Sequence, residues 1–438
     1  MNPYEVTIVM FAGMMLLMCT GLPIAFCIGS IGVIAAFATM GIDGLSLVYF
    51  SITALTSNIV LTAIPLFVFM GFMLYHSGVA EGMFDTIYKW AGGIRGALGI
   101  GTIGICALMA AMIGVSSATV LALGAIVVPS MLAKGYNKHM TLGLVMSGGA
   151  LGFLIPPSVM MVMYGFLSTV SVGQLFAGGV VPGLMLAGFY MVYVAVRCAL
   201  RPADGPALPP EERASFKEKL ISLKDLIPPL FLAAAILISI FSGFASPTEA
   251  AALGAGFSMI CAALRRNLTW QILGATLRKT FELSGFVAVM IIAALAFSKA
   301  YSSLGATIMI RNFVMDLEVS PWVIIIIMQL SFFILGMFLD DIAILFMCMP
   351  IYVPIIKGLG FDPIWFGVLY VMNMQMAYLT PPYGLNLFFM KAVAPKNVSI
   401  TDLYVSVIPF LFIQLAALIL IMFFPDIVMY LPREIFAQ

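Results

Sequence analysis

Charge is what this chain of 438 residues lacks most: 9% of it is Asp, Glu, Lys or Arg, against 63% hydrophobic residues and a mean hydropathy of +1.14. No soluble domain hides that much apolar surface, because interiors grow too slowly with length. A net charge of +1 and the lack of any basic block exclude nucleic acid as a partner. Histidine is nearly missing, and His76 and His139 stand alone, which leaves no metal cluster to build. The six cysteines (Cys19, Cys27, Cys106, Cys198, Cys261 and Cys348) lie singly in or beside apolar segments and read as small packing residues, not a disulfide framework. There is no phosphate-cradling GxxxxGK[ST] and no HExxH. Asp340-Asp341 has no second aspartate on a partnering span for an aspartyl protease, so an enzyme is not expected. Short alternating segments, the mark of a transmembrane barrel, are absent as well.

What is present is a series of apolar runs long enough to cross a bilayer as helices. The start, Met1-Asn2-Pro3-Tyr4-Glu5, carries no positive charge and no small-residue cleavage site soon after, so it is expected to open the first span and not to be a removable signal. A proline pair then occurs twice, 225 positions apart, each time inside an apolar stretch: Leu154-Ile155-Pro156-Pro157-Ser158 and Leu379-Thr380-Pro381-Pro382-Tyr383-Gly384-Leu385-Asn386. Proline removes a backbone donor and clashes with the preceding turn, so both stretches are predicted to be broken helices. Unpaired backbone at membrane depth is tolerated only inside protein or along a cavity, and such breaks in corresponding positions of two halves point to a transporter's binding site.

The correspondence extends further. Pro23 matches Pro247, Pro129 matches Pro354, Gly135-Tyr136-Asn137 matches Gly360-Phe361-Asp362, and Pro182 matches Pro409, at offsets drifting only from 224 to 227. Spans are predicted near 5–20, 23–40, 62–80, 140–168 and 176–197, then near 228–243, 247–264, 283–301, 364–392 and 404–424. Two longer stretches, 98–132 and 321–355, are interrupted midway at Gly114-Val115-Ser116-Ser117 and at Gly336-Met337-Phe338-Leu339-Asp340-Asp341. Each fits two spans or one re-entrant hairpin.

Lys and Arg separate these options. With both stretches as hairpins, each half has five spans, an odd number, and the halves are inverted. The segments 81–97, 133–139, 197–226, 265–280 and 391–402 then face the cytoplasm and hold sixteen of the twenty Lys and Arg. Both termini come out periplasmic. The expected architecture is an all-α integral membrane protein: a first repeat over 1–200, a cytoplasmic linker over 201–226 with a short amphipathic helix, and a second repeat over 227–438. Segments 44–60 and 81–95 are expected as interfacial helices bracing a scaffold.

A hairpin tip facing a broken helix gathers helix ends, whose carbonyls coordinate cations. The first such set is Gly114, Ser116, Ser117 and Thr119 against Pro156, Pro157 and Ser158. The second is Gly336, Asp340 and Asp341 against Thr380, Pro381, Gly384 and Asn386. Neutral oxygens and carboxylates of this kind suit Na⁺. The plainer alternative is that the serines and threonines cap helix ends or bond to preceding carbonyls. Asp340 is the stronger functional candidate of the adjacent acids, with one of the two capping the second half of its hairpin. Glu249 reads as a helix cap in Ser246-Pro247-Thr248-Glu249, and Lys299 and Lys391 as snorkelling span ends.

These motifs resemble those of the large membrane subunit of tripartite ATP-independent periplasmic (TRAP) transporters. The matching residues are Ile64-Pro65-Leu66-Phe67 with Met70-Gly71, Ile155-Pro156-Pro157-Ser158, Ser246-Pro247-Thr248-Glu249-Ala250-Ala251-Ala252, Gly336-Met337-Phe338-Leu339-Asp340 and Thr380-Pro381-Pro382-Tyr383-Gly384-Leu385-Asn386-Leu387-Phe388. The resemblance implies Na⁺-coupled uptake of organic acids such as C4-dicarboxylates or sialic acid across a bacterial inner membrane, by an elevator motion of a transport domain against a scaffold. It also implies two partners, a small four-helix membrane subunit and a periplasmic substrate-binding protein. On this pattern Na⁺ is expected at Gly114, Ser116, Ser117, Thr119, Pro156, Gly336, Asp340, Thr380 and Gly384. The substrate is expected at Ser116, Ser117, Pro156, Pro157, Ser158, Thr380, Pro381 and Asn386. Two positions depart from the family pattern: Ser116 and Ser117 are adjacent where a Gly commonly separates two serines, and Asp341 stands where an uncharged residue is usual. A self-sufficient Na⁺/dicarboxylate carrier of the same superfamily is the second expectation, and a passive channel the third.

Overall fold

The computed structural model describes residues 2–316, 318–382 and 384–436. It is helical throughout, with no strand among the described residues. In chain order the first half contributes α1 (Pro3–Cys19), α2 (Ile24–Met40), α3 (Ser46–Ser57), α4 (Ala63–His76), α5 (Val79–Ala91), α6 (Ala97–Ile113), α7 (Ser116–Ala133), α8 (Lys138–Ala150), α9 (Val159–Ser168) and α10 (Val172–Leu200). A short α11 (Phe216–Ser222) sits in the polar stretch between the halves. The second half follows with α12 (Ile227–Phe241), α13 (Pro247–Leu264), α14 (Trp270–Ser303), α15 (Ala306–Met315), α16 (Pro321–Gly336), α17 (Asp341–Gly358), α18 (Pro363–Ala377), α19 (Leu385–Val393), α20 (Ile400–Phe423) and α21 (Asp426–Phe436). Eight helices or helix runs among the described residues are long and apolar enough to cross a membrane, or nine if the bent pair spanning residues 216–241 is counted as one. The chain is a multi-pass membrane protein.

Local chemistry explains where helices start. Asn2, Ser215, Ser246 and Ser399 each accept from the first turn while Glu5, Glu218, Glu249 and Asp402 reach back to the cap backbone. Both interrupted stretches fold back on themselves. Across the first, the Thr102 hydroxyl meets Met131 Sδ at 3.9 Å; across the second, Ser331 Oγ lies 2.8 Å from Tyr352 Oη. Both proline pairs break their helices, α8 from α9 and α18 from α19.

Two expectations need correction. Residues 265–280 were expected as a loop, but α14 is one helix from Trp270 to Ser303, because Thr269 caps it and no proline interrupts it. Its counterpart in the first half does break, at Asn58, whose side chain accepts from Val60 N and turns the chain between α3 and α4. The span expected near 62–80 also stops early, where Ser77 and the left-handed Gly78 (φ +74°) separate α4 from α5.

The hairpins and broken helices form the interior. Every residue from Asp341 to Met349 of α17 is buried, whereas the run Ile24–Ser57, at the rim, is mostly exposed or half-buried. Trp365, Phe366, Tyr370, Tyr164, Phe332 and Phe346 are all fully buried there. Ile8, Leu16, Phe26, Ile238, Leu253 and Ile260 point outward with no polar neighbour required, as suits side chains solvated by lipid. Around the rim, small residues let backbones approach: a Cβ on Gly32 would lie 2.7 Å from the Phe297 backbone, so α2 and α14 cross in direct contact.

The polar stretch between the halves is a strap and not a free connector. Gly96 N donates to Gly205 O (2.9 Å), Leu208 N to Gly92 O (3.1 Å) and Asn137 N to Asp204 O (2.9 Å), which ties it to the base of the α6–α7 hairpin. Lys134 pairs with Glu212 (2.6 Å) and Arg265 with Asp225 (2.6 Å), linking the same strap to α7 and α13.

A further ion pair joins the halves, Lys138 to Asp402 at 2.8 Å. Asp402 also accepts from the Ser399 amide and hydroxyl (2.8 Å each), so one carboxylate closes the cap of α20 and pairs with Lys138. Asp402→Asn removes that charge at a cost of about 1 kcal/mol and is expected to lower the thermal midpoint of the purified protein; an unchanged midpoint would show that the charge contributes nothing.

Candidate functional site

The first hairpin turns on Gly114. After α6 its φ is +63°, a left-handed value that glycine adopts freely, and its N–H closes the helix on Ala110 O. A Cβ there would lie 2.5 Å from Pro157 O, so the tip seats directly on the first proline break. Within that break Ser158 donates from Oγ to Phe153 O (2.7 Å) and accepts from Met161 N (3.4 Å), capping α9. Gly152 backs onto the tip: its Cβ would stand 3.5 Å from Ser116 N.

The second hairpin meets the second break in the same manner. A Cβ on Gly336 would lie 2.3 Å from the Ala377 Cβ, which presses the end of α16 against the end of α18. Asp340 stands at the cap of α17, makes no side-chain cap bond, and leaves Oδ1 buried without a partner. Asp341 takes up the local donors instead: its Oδ1 accepts from Ile342 N (3.0 Å) and from Tyr378 Oη (2.7 Å), and its carbonyl accepts from Tyr370 Oη (2.5 Å). In the break, Thr380 donates to Met376 O (2.8 Å), Gly384 N to Thr380 O (3.1 Å) and Asn386 N to Tyr378 O (3.1 Å). Cis peptide bonds join Pro156 to Pro157 and Pro381 to Pro382.

The two assemblies touch each other. Ser116 Oγ donates to Asn386 Oδ1 (3.0 Å), and Asn386 Nδ2 donates to Met146 O (3.3 Å). The rings of Phe153 and Tyr378 meet edge to face at 4.6 Å. Between the tips and breaks lies a cavity of about 430 Å³. Its polar wall is Gly114, Ser116, Ser117, Asp340, Asp341 and Tyr378, and its apolar wall includes Phe153, Met160, Met163, Phe286 and Phe389. The first residues of α2, α7, α9, α17 and α19 all line it, so five helix N-termini converge there. No Lys, Arg or His is among the described lining residues.

Of the residues singled out from sequence, Gly114, Ser116, Ser117, Asp340 and Asp341 line this cavity. Thr119 lies a turn into α7, buried, with its hydroxyl toward Val115 O (3.4 Å). Pro156, Pro157 and Ser158 stand behind the first tip, while Gly336 is committed to packing. Thr380, Pro381, Gly384 and Asn386 shape the second break without lining the cavity, and Asn386 reaches the site only through Ser116. Tyr383, part of the second motif, lies outside the described residues. Sequence reasoning missed Tyr378 and Phe153. The one available signal was an aromatic residue three positions before each proline pair. Leu22, Pro23 and Ile24 at the start of α2 and Leu283, Phe286 and Val287 on α14 complete the cavity, and all six are apolar.

Residues 11–427 match the family described as tripartite ATP-independent periplasmic transporter, DctM component. The chain belongs to that family. A C4-dicarboxylate TRAP transporter large permease from Rhodobacter capsulatus is 32% identical over 97% of this chain and 98% of its own length. A second from Pseudomonas aeruginosa is 35% identical over 85% and 86%. Among solved structures, the Alcanivorax borkumensis YdaH transporter superposes with a TM-score of 0.64 over 87% of this chain and 88% of that one, at 14% identity, a likeness of fold alone. As a DctM-family chain, the protein is a transporter permease whose role is transport and not catalysis of a reaction.

The contact at Gly114 is testable. Gly114→Ala sets a Cβ against Pro157 O in a left-handed conformation, at a cost of about 1–3 kcal/mol. Its thermal midpoint should fall by several degrees. Gly274→Ala, in a helix with nothing within 4 Å of the new Cβ, should leave the midpoint unchanged or raised.

Proposed function

We propose that this chain is the transport subunit of a Na⁺-driven uptake system for organic acids, with C4-dicarboxylates as the leading class, in a bacterial inner membrane. The observation that carries the reading is the single cavity where both hairpin tips, both proline breaks and five helix N-termini meet. Helix N-termini attract carboxylates, so they supply a docking field for an organic anion without a basic side chain. The same cavity holds Asp340 and Asp341, which oppose that anion. Cations entering beside the carboxylates remove the opposition, and this makes binding of ion and substrate mutually dependent.

The donor set suits Na⁺. Ser116, Ser117, the tip backbone at Gly114 and the carbonyl of Pro157 offer neutral oxygens at the first tip. Asp340 Oδ1, buried without a partner, offers a charged one at the second. Three or more His, Cys, Asp or Glu side chains never converge among the described residues, so a transition metal has no matching ligand set.

In the proposed cycle the two halves, residues 1–200 and 227–438, are inverted repeats of five spans and one re-entrant hairpin, joined by a cytoplasmic linker with both termini periplasmic. The recurring order of elements supports this: α6–α7 and α16–α17 fold as hairpins, and each is followed by a helix broken at a proline pair. The hairpins, the broken helices, α10 and α20 form a transport body. Loading cancels the cavity's charge, and the body then slides as an elevator against a scaffold built from α1–α4 and α12–α14. A small four-helix membrane subunit braces that scaffold, and a periplasmic binding protein delivers the substrate and sets much of its selectivity.

The test is uptake into proteoliposomes carrying this chain and the small subunit, with and without a Na⁺ gradient and the cognate binding protein. Accumulation should require all three; Na⁺-driven accumulation without the binding protein would move the protein to the self-sufficient carriers, and uptake indifferent to Na⁺ to the channels. Ser117→Ala and Asp340→Asn should each raise the Na⁺ concentration for half-maximal uptake by about tenfold, the loss of one charge-assisted contact of roughly 1.5 kcal/mol. Unchanged Na⁺ dependence in folded variants would remove those residues from the ion sites.

A further inference from the structure

A second concave site lies away from the central cavity, where α10 ends beside the strap. Phe189, Val192, Val196 and Leu200 of α10 face Ile413 and Ala416 of α20 across a groove of about 640 Å³. Val192, Val196 and Leu200 recur every fourth residue along α10, and Phe189, Tyr193, Arg197 and Arg201 form the adjacent row, which ends in the two arginines. Val192 is 61% and Leu200 78% exposed, so this groove opens on the outer surface of the helix bundle.

The two arginines differ in what they already hold. Arg197 donates from Nε to Asp204 Oδ2 (2.7 Å) and from Nη1 to Tyr193 Oη (2.7 Å). Arg201 is exposed, and its guanidinium makes no hydrogen bond or ion pair among the described residues. Asp204 offsets one of the two charges, which leaves one net positive charge at the mouth of an apolar groove.

We propose that this groove binds an anionic phospholipid, its phosphate on the Arg201 guanidinium with the remaining Arg197 N–H groups alongside, and one acyl chain laid between α10 and α20. Basic pockets between membrane helices recognise lipid headgroups in this way, and the apolar wall gives a lipid a purchase that a free anion lacks. The assignment needs only that the chain spans a membrane and is independent of what is transported.

The experiment is native mass spectrometry of the full chain in detergent, titrated with phosphatidylglycerol and phosphatidylethanolamine of matched acyl chains. Phosphatidylglycerol should be retained about fivefold more strongly, the effect of roughly one interfacial arginine. Arg201→Gln should erase that preference. Val196→Trp, which fills the groove from an exposed position, should lower retention of both lipids, with thermal midpoints confirming that both variants fold. Equal retention of the two lipids by the parent, or unchanged phosphatidylglycerol retention in either variant, overturns the proposal. Displacement of phosphatidylglycerol by inorganic phosphate at matched concentration overturns it too, because the site would then recognise the anion alone.

Discussion

Everything in this structure follows from one constraint: two helices are broken where water does not reach. A break frees backbone donors and acceptors, and each one left unpaired in a membrane interior costs several kcal/mol. The chain answers them one by one. Around the first break Leu154 N and Ile155 N both return to Leu151 O, and Ser158 Oγ covers Phe153 O. Around the second, Gly384 N and Asn386 N find Thr380 O and Tyr378 O, and the Thr380 hydroxyl covers Met376 O. The Ser, Thr and Asn side chains that stand out in so apolar a chain are thus first of all the means of keeping these breaks satisfied. Their chemistry toward an ion is available because their backbone partners hold them in place.

The same constraint explains why each hairpin must press so closely on its break. Glycine stands at both contacts, Gly114 against Pro157 O and Gly336 against Ala377, because any side chain would hold the surfaces apart and admit a gap at membrane depth. Close seating also buries the hairpins, which is why α17 is far more enclosed than the rim helices. The site is therefore assembled largely from enclosed helix starts, while the outward faces of α2, α14 and α16 are left to the rim.

Much of this was legible in the sequence because breakers are local. Proline pairs, glycines before serines and adjacent aspartates in apolar runs each announce a chain that cannot remain a simple span, and the hairpins and breaks fall where those residues stand. The long α14 was not legible, since its polar first turns look like a loop until Thr269 is seen to cap them. Nor was the division of labour between the two aspartates. Asp341 is tied by Tyr378 and Ile342 while Asp340 keeps a buried oxygen free, and only the distance across two elements separated by 37 positions decides that. The paired rings of Phe153 and Tyr378 were hidden for the same reason: each is one aromatic among many until the fold sets them 4.6 Å apart.

The contact that joins the two halves has the largest consequence for how such a site works. Ser116 belongs to the first tip and Asn386 to the second break, 270 positions away, yet their side chains form one hydrogen bond in the interior. Asn386 is anchored in turn on Met146 O, so it cannot swing aside without exposing that carbonyl. A ligand that reorients the Ser116 hydroxyl therefore acts on a group fixed in the other half, and a change at the second break acts back on the first tip. Coupling of this kind is reciprocal by thermodynamic necessity. Two ion sites built on these tips would accordingly fill as a pair, with the substrate's carboxylate between them sensing both.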